Sequence, residues 1–165
     1  MSTEAIKEVR GRTNAGVLEC KDALLEAGGD IEKAVEGLRR RGLSVAEKKA
    51  GRVVSEGIIE AYTHHTREVG ALVELNCESD FVARTDEFKQ LAHDLAMQVT
   101  AAFPEYIAPE DIPADVELDP QEVCLLLQPF IKEPGMTVGE IIAETVAKVG
   151  ENIKVRRFVR FQLGC

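Results

Sequence analysis

Val69-Gly70-Ala71-Leu72-Val73-Glu74-Leu75-Asn76-Cys77 runs directly into Glu78-Ser79-Asp80-Phe81-Val82-Ala83-Arg84, and that into Thr85-Asp86-Glu87-Phe88-Lys89-Gln90-Leu91-Ala92. The first block alternates, with Ala71, Val73 and Leu75 on one side and Leu72, Glu74 and Asn76 on the other, the pattern of a half-buried strand. In the third the period changes. Thr85 is a helix cap, and Phe88, Leu91, Ala92, Leu95 and Val99 form one helical stripe that ends at Phe103-Pro104. Strand and helix each carry one apolar face to bury, and the middle block is the corner between them. Corners of this kind hold side chains at the surface on rigid supports, which is where function collects. Two readings of Asp80-Phe81 stand open from residue types: Asp80 caps a turn while Phe81 folds into the core, or Phe81 is an outward anchor for a partner. In the second, Asp80 competes for a donor or crowds an anion or metal bound by that partner.

Working outward, Ile58 to Thr63 is β-rich and is separated from the quoted strand by His64-His65-Thr66-Arg67-Glu68, which is hairpin spacing. Thr137-Val138-Gly139-Glu140 is a capping box opening a helix that buries Val138, Ile141, Ile142, Val146 and Val149 and closes at Gly150. In the strand that follows, strict alternation puts Ile153, Val155, Val159, Phe161 and Leu163 on a core face. Lys154, Arg156, Phe158, Arg160 and Gln162 then share a basic face. The pattern predicts a three-stranded antiparallel sheet with helices packed on one face, an α+β fold. Residues 104 to 121 carry four prolines and many carboxylates and read as an irregular surface connection with room for one helical turn, and Val123 to Leu127 is too short to assign between strand and helix.

Ahead of this lies a three-helix bundle. Its first helix is capped by Ser2 or Thr3, buries Ala5, Ile6 and Val9, and ends before Gly11; the second opens at Asn14 with the stripe Val17, Cys20, Leu24 and Ala27 and stops at Gly28-Gly29. The third starts from the Asp30 cap, buries Ile31, Ala34, Val35 and Leu38, and stops at Gly42. The expected division is a docking module over 1–42, a basic connector over 43–56 and an α+β domain over 57–165.

The chain has 165 residues and a formal charge of −9. Residues 1 to 56 carry 11 basic and 10 acidic side chains, and residues 57 to 165 carry 9 and 19, so the acidic excess is all in the second part. An acidic body repels phosphate backbones, so no direct nucleic-acid role is expected, although Arg39, Arg40, Arg41, Lys48, Lys49 and Arg52 leave an RNA- or ribosome-associated binding protein as the alternative. Cys20, Cys77, Cys124 and Cys165 are far apart and show no metal-ligand spacing, which suits reduced thiols. Cys165 reads as a free terminal thiol, with a bridge between two copies as the other option. No apolar run is long enough for a membrane span and no export signal is visible, so a cytoplasmic protein is expected. Phosphate loops, nucleophile elbows and zinc-protease signatures are missing from the sequence. A thiol site of Cys77 with His64 or His65 is the only nucleophile and base the hairpin could bring together. Neither an enzyme, a metal site nor a cofactor is expected.

Five stretches in order at compatible spacing make the chain resemble the elongation factor Ts family, the bacterial guanine-nucleotide exchange factors of elongation factor Tu. They are Thr13 through Lys21; Ala23-Leu24 with Glu26-Ala27 and Gly29-Asp30; Leu38-Arg39 with Ala46 through Arg52; Asn76 through Ala83; and Val149 through Ile153 with Arg156-Arg157-Phe158. The resemblance implies a first domain of ubiquitin-associated type that docks on the nucleotide-binding domain of elongation factor Tu through Lys21, Asp22 and Leu25. It further implies that Ser79, Asp80, Phe81 and Val82 wedge into that domain and disturb its magnesium site so that GDP leaves. Asn14 stands where the family has glycine, Val17-Leu18-Glu19 where it has Met-Met-Asp, and Ser79 where it has threonine. The segment from Pro104 to Gln128 is abridged and the sheet subdomain occurs once, as in compact members that pair, so a homodimer through the sheet face is expected.

Overall fold

A computed structural model describes residues 2–165; Met1, the first residue of the expected docking module, lies outside the described residues. The N-terminal helices are α1 (Thr3–Thr13), α2 (Val17–Glu26) and α3 (Ile31–Lys49). Ser2 and Asp30 cap the first and third, accepting from the amides of Glu4 and Lys33, each at 3.1 Å. Their core is Val9, Cys20, Ala23, Leu24, Ala34 and Val35. The helix α1 runs through Gly11 and ends where Asn14 turns left-handed at φ 53°. Because Asn14 closes one helix it cannot open the next, and α2 begins at Val17. Val17 itself is exposed: the buried stripe is Cys20, Ala23 and Leu24, and Val17 lies roughly 60° round the helix from its centre.

The largest departure from expectation is at Gly42, where α3 does not stop. A glycine terminates a helix by turning left-handed, whereas Gly42 keeps helical geometry, is buried, and lies against α7 (Val138–Val149). The helix therefore continues for another seven residues and places Ala46 against the second core. One helix is shared by both cores, with Ala34 and Val35 in the first and Ala46 on the second.

The second core sits under a three-stranded antiparallel sheet of β1 (Glu56–Thr63), β2 (Val69–Cys77) and β5 (Ile153–Gln162), in the order β1-β2-β5. Gly57, the second residue of β1, has to be glycine because a Cβ there would stand 2.1 Å from the Leu75 carbonyl oxygen. On one face lie α5 (Asp86–Ala102), capped by Thr85, and α7, opened by the expected reciprocal bonds of Thr137 and Glu140. Ala71, Val73, Leu75, Phe88, Leu91, Ala92, Leu95, Val99, Val138, Ile142 and Val146 fill the space between. Smaller elements complete the chain: α4 (Asp80–Ala83), a 3₁₀ turn at Pro109–Asp111, α6 (Pro120–Val123), a second 3₁₀ turn at Leu125–Leu127, and the short pair β3 (Pro129–Phe130) and β4 (Glu133–Thr137). The fold is α+β.

Strict alternation fails in β5. Arg157 pairs with Glu74 and Val155 with Leu75, so Arg156 is an extra residue and the side-chain phase changes there. Ile153 and Val155 face the core, and beyond the bulge Phe158 does so while Arg160 lays its guanidinium 3.3 Å from the centroid of the Phe103 ring. Val159 and Phe161, expected inside, are exposed on the opposite face.

Candidate functional site

The corner after β2 is a four-residue helical turn. Ser79, not Asp80, is its cap: the backbone is extended at φ −126°, and Oγ accepts from the Val82 amide at 3.3 Å. Val82 and Ala83 are buried in the second core and root the turn. That leaves Asp80 and Phe81 to face outward. Phe81 is 78% exposed, so the reading that folds it into the core is excluded. Asp80 pairs with Arg84 at 2.8 Å on the same outward side.

The strand end is held from below. Cys77 Sγ donates to the Ser79 carbonyl at 3.1 Å. Burial first, and then the charge of Glu151, push the Cys77 thiol up to about 11, so it is protonated and unreactive at neutral pH. His64 stands at the other end of the hairpin, next to the Thr63–Gly70 pair, whereas Cys77 pairs with Glu56. Seven residues of strand, roughly 23 Å, separate them, and no thiol–imidazole site is assembled. His64 instead meets the Tyr62 hydroxyl at 3.4 Å and stacks beside His65, while His93 reaches Glu60 at 3.2 Å.

Two residues that sequence reasoning did not assign to the site brace this corner. Glu151 accepts from the Ser79 amide at 3.0 Å and from its hydroxyl at 2.6 Å. Asn152 donates its amide to Glu78 Oε1 at 2.7 Å. The only sequence signal was that both fall in a stretch carrying the family resemblance; the pairing spans 72 or more residues, beyond any local pattern.

The second group lies elsewhere. Lys21, Asp22 and Leu25 are exposed on the outer face of α2, and Leu18, 74% exposed, extends them by one turn. Residues 18, 21, 22 and 25 follow the i, i+3, i+4, i+7 spacing of one helical face. Leu18 was missed, although its seven-residue spacing to the equally outward Leu25 is visible in the sequence. The helix behind this face is rooted in the first core and α4 in the second, so the two groups of exposed side chains are separate.

Much of the basic stretch is already committed. Arg39 pairs with Glu133 at 2.8 Å, Arg40 with Glu36 at 2.9 Å, Arg41 with Glu26, and Arg52 with Glu78 at 3.6 Å. Across the outer sheet face, by contrast, Ile59, Leu72, Val159 and Phe161 are exposed around the Glu74–Arg157 ion pair of 2.7 Å. No described helix is long and apolar enough to cross a membrane.

A family model described as Elongation factor TS matches residues 40–119. The chain is 49% identical over 194 aligned positions to the elongation factor Ts of Carboxydothermus hydrogenoformans, covering 99% of this chain and 89% of that protein. It is 49% identical over 189 positions to that of Heliobacterium modesticaldum, covering 96% and 88%, and 46% identical to that of a Thermoanaerobacter species, covering 99% and 95%. An alignment of 194 positions exceeds the 165 residues present here, so these relatives carry intervening residues that this chain lacks.

Proposed function

The chain belongs to the elongation factor Ts family, and from that premise we propose that it is a guanine-nucleotide exchange factor for elongation factor Tu. The outer face of α2, with Lys21, Asp22 and Leu25 and the added Leu18, docks on the partner's nucleotide-binding domain. Phe81, with Asp80 beside it, enters that domain, disturbs the magnesium site and releases GDP. No bond is made or broken, and the protein works in the cytoplasm as a binding partner without catalytic residues or cofactor of its own.

The observation that carries this reading is the outward Phe81 ring on a turn rooted by Val82 and Ala83. A factor that binds the empty partner better than the loaded one must weaken nucleotide binding by the same ratio. If the pocket for Phe81 opens only when the metal site is distorted, burying the ring supplies about 1.5 to 3 kcal/mol of that preference, or about ten- to a hundredfold. The remainder comes from the rest of the interface, so far as it too fits the empty partner better. Release of fluorescent GDP from elongation factor Tu, with and without this protein, tests the proposal: acceleration supports it, and an unchanged rate at saturating protein rejects it.

Charge pairing supports this reading over an RNA-binding one, because Arg39, Arg40, Arg41 and Arg52 already hold carboxylates. RNA affinity falling steeply with salt would favour the alternative. The outer sheet face with Ile59, Leu72, Val159 and Phe161 exposed also suits the expected homodimer, since a two-fold interface buries the same apolar patch of both copies.

A further inference from the structure

The link between α7 and β5, Gly150-Glu151-Asn152, touches three parts of the molecule at once. Both carboxylate oxygens of Glu151 are engaged by Ser79, one by its amide and one by its hydroxyl, so a single residue of the corner is gripped at two points. Asn152 is 3% exposed. Its amide holds Glu78, the residue before Ser79, while its side-chain Nδ2 donates to the carbonyls of Ala50 at 3.3 Å and Arg52 at 2.9 Å, just past the end of α3. Glu78 in turn lies 3.6 Å from Arg52. The corner that carries Phe81 and the segment that follows α3 are thus both fastened to Asn152, and Glu151 beside it adds a second grip on the corner alone.

A four-residue helical turn cannot hold itself, because helix nucleation is unfavourable and is recovered only over longer runs. The direction of Phe81 therefore depends on what grips its turn from outside. Val82 and Ala83 fix its depth in the core, and the Glu151 bracket fixes its start.

We propose that Glu151 and Asn152 are positioning residues for exchange, holding Phe81 at a set place and direction relative to the docking face on α2. This rests on the reading of Phe81 as the inserted group. A prong that is loose before contact loses freedom on insertion, which subtracts from the preference for the empty partner. The docking face is untouched by loss of Glu151, so the deficit belongs to the insertion step.

The test compares Glu151→Ala, Glu151→Gln, Phe81→Ala and the double variant Glu151→Ala with Phe81→Ala, measuring GDP release from elongation factor Tu against factor concentration. For Glu151→Ala the maximal release rate falls by about tenfold or more, while the half-saturating concentration moves by less than about twofold. Glu151→Gln, which keeps an acceptor for Ser79, recovers part of the rate. In the Phe81→Ala background the loss of Glu151 has no further effect, as required of a residue that acts through the ring. Amide hydrogen exchange at residues 80–84 of the free protein rises in Glu151→Ala. If Glu151→Ala releases GDP at the parental maximal rate while Phe81→Ala is slow, the bracket proposal fails and the reading of Phe81 stands. If Phe81→Ala is itself parental, the reading of Phe81 fails and the proposal with it. Equal losses from Glu151→Ala in both backgrounds also overturn the proposal. Should Glu151→Ala not fold, Glu151→Gln, whose amide nitrogen cannot accept and so loses one of the two contacts with Ser79, is held to the same outcomes in smaller measure.

Discussion

Arg39 on α3 brings its Nε to 3.7 Å from Oε1 of Glu144 on α7, and both atoms are buried without a hydrogen-bond partner. The guanidinium spends its good geometry on Glu133 instead, at 2.8 Å. Burial raises the Glu144 carboxyl from its ordinary 4.5 to about 7; Arg39 pulls it down, and Glu133 and Glu140 add to the rise. The folded protein therefore holds a proton that the unfolded chain has lost between those two values. Stability contributed by this proton is complete below about pH 4.5, declines as pH rises toward about 7, and is gone above it. Melting temperature across that window is expected to fall with pH in the parent and to lose this component of the slope in Glu144→Gln. Equal slopes in the two proteins would place the proton elsewhere.

Phe81 and Val82 are neighbours with opposite duties. Replacing the exposed Phe81 by alanine is expected to leave stability within about 0.5 kcal/mol, yet to slow GDP release from elongation factor Tu by about ten- to a hundredfold. Val82→Ala should do the reverse to stability, costing about 1 to 2 kcal/mol through the vacated core space. Urea unfolding and nucleotide release on the two variants separate prong from root.

At Gly42 a methyl group would rest 3.9 Å from Ala147 Cβ and 4.0 Å from Glu144 Cα, ordinary contact distances. Glycine there costs helix stability and gains no turn. Gly42→Ala is accordingly expected to stabilise the protein by about 0.5 to 1 kcal/mol, whereas Gly42→Leu should overpack the α3–α7 contact and lower the melting temperature.

The outer sheet face predicts an association that a charge should break. Light scattering at micromolar concentration is expected to give a dimer mass for the parent and a monomer mass for Phe161→Glu or Leu72→Lys. Both residues are exposed in the single chain, so their substitution leaves its core intact. A monomeric parent would contradict the homodimer.

Signals that act within one turn of helix were legible. Thr85 caps α5, Thr137 and Glu140 form the box that opens α7, and all five residues of the α5 stripe are buried. A few local signals misled, since Gly11 does not end α1 and Asn14 closes that helix instead of opening α2; the other failures depended on distant neighbours. Gly42 resembles a stop signal until α7 is known to lie beside it. Arg156 cannot be recognised as an extra residue without the partner strand, and so Val159 and Phe161 were assigned to the wrong face. The run Val123 to Leu127 resisted assignment because it is neither strand nor continuous helix: α6 ends at Val123 and a 3₁₀ turn follows. For the site, residue types showed an aromatic at a corner but not its direction. That Phe81 stays outside the core follows from Val82 and Ala83 entering it.

Arg156 occupies the one place in β5 that no rung of the ladder requires. Its removal would close the ladder with Val155 and Arg157 adjacent, still opposite Leu75 and Glu74, and every other side chain would keep its side of the sheet. Removal of Lys154, one rung away from Val155, would instead drag Val155 round to solvent if the remainder stayed in register. Because Arg156 and Arg157 are both arginine, loss of either codon gives the same chain, so gene variants shortened by a single codon in this strand should survive at that pair and be lost at Lys154 or Val155.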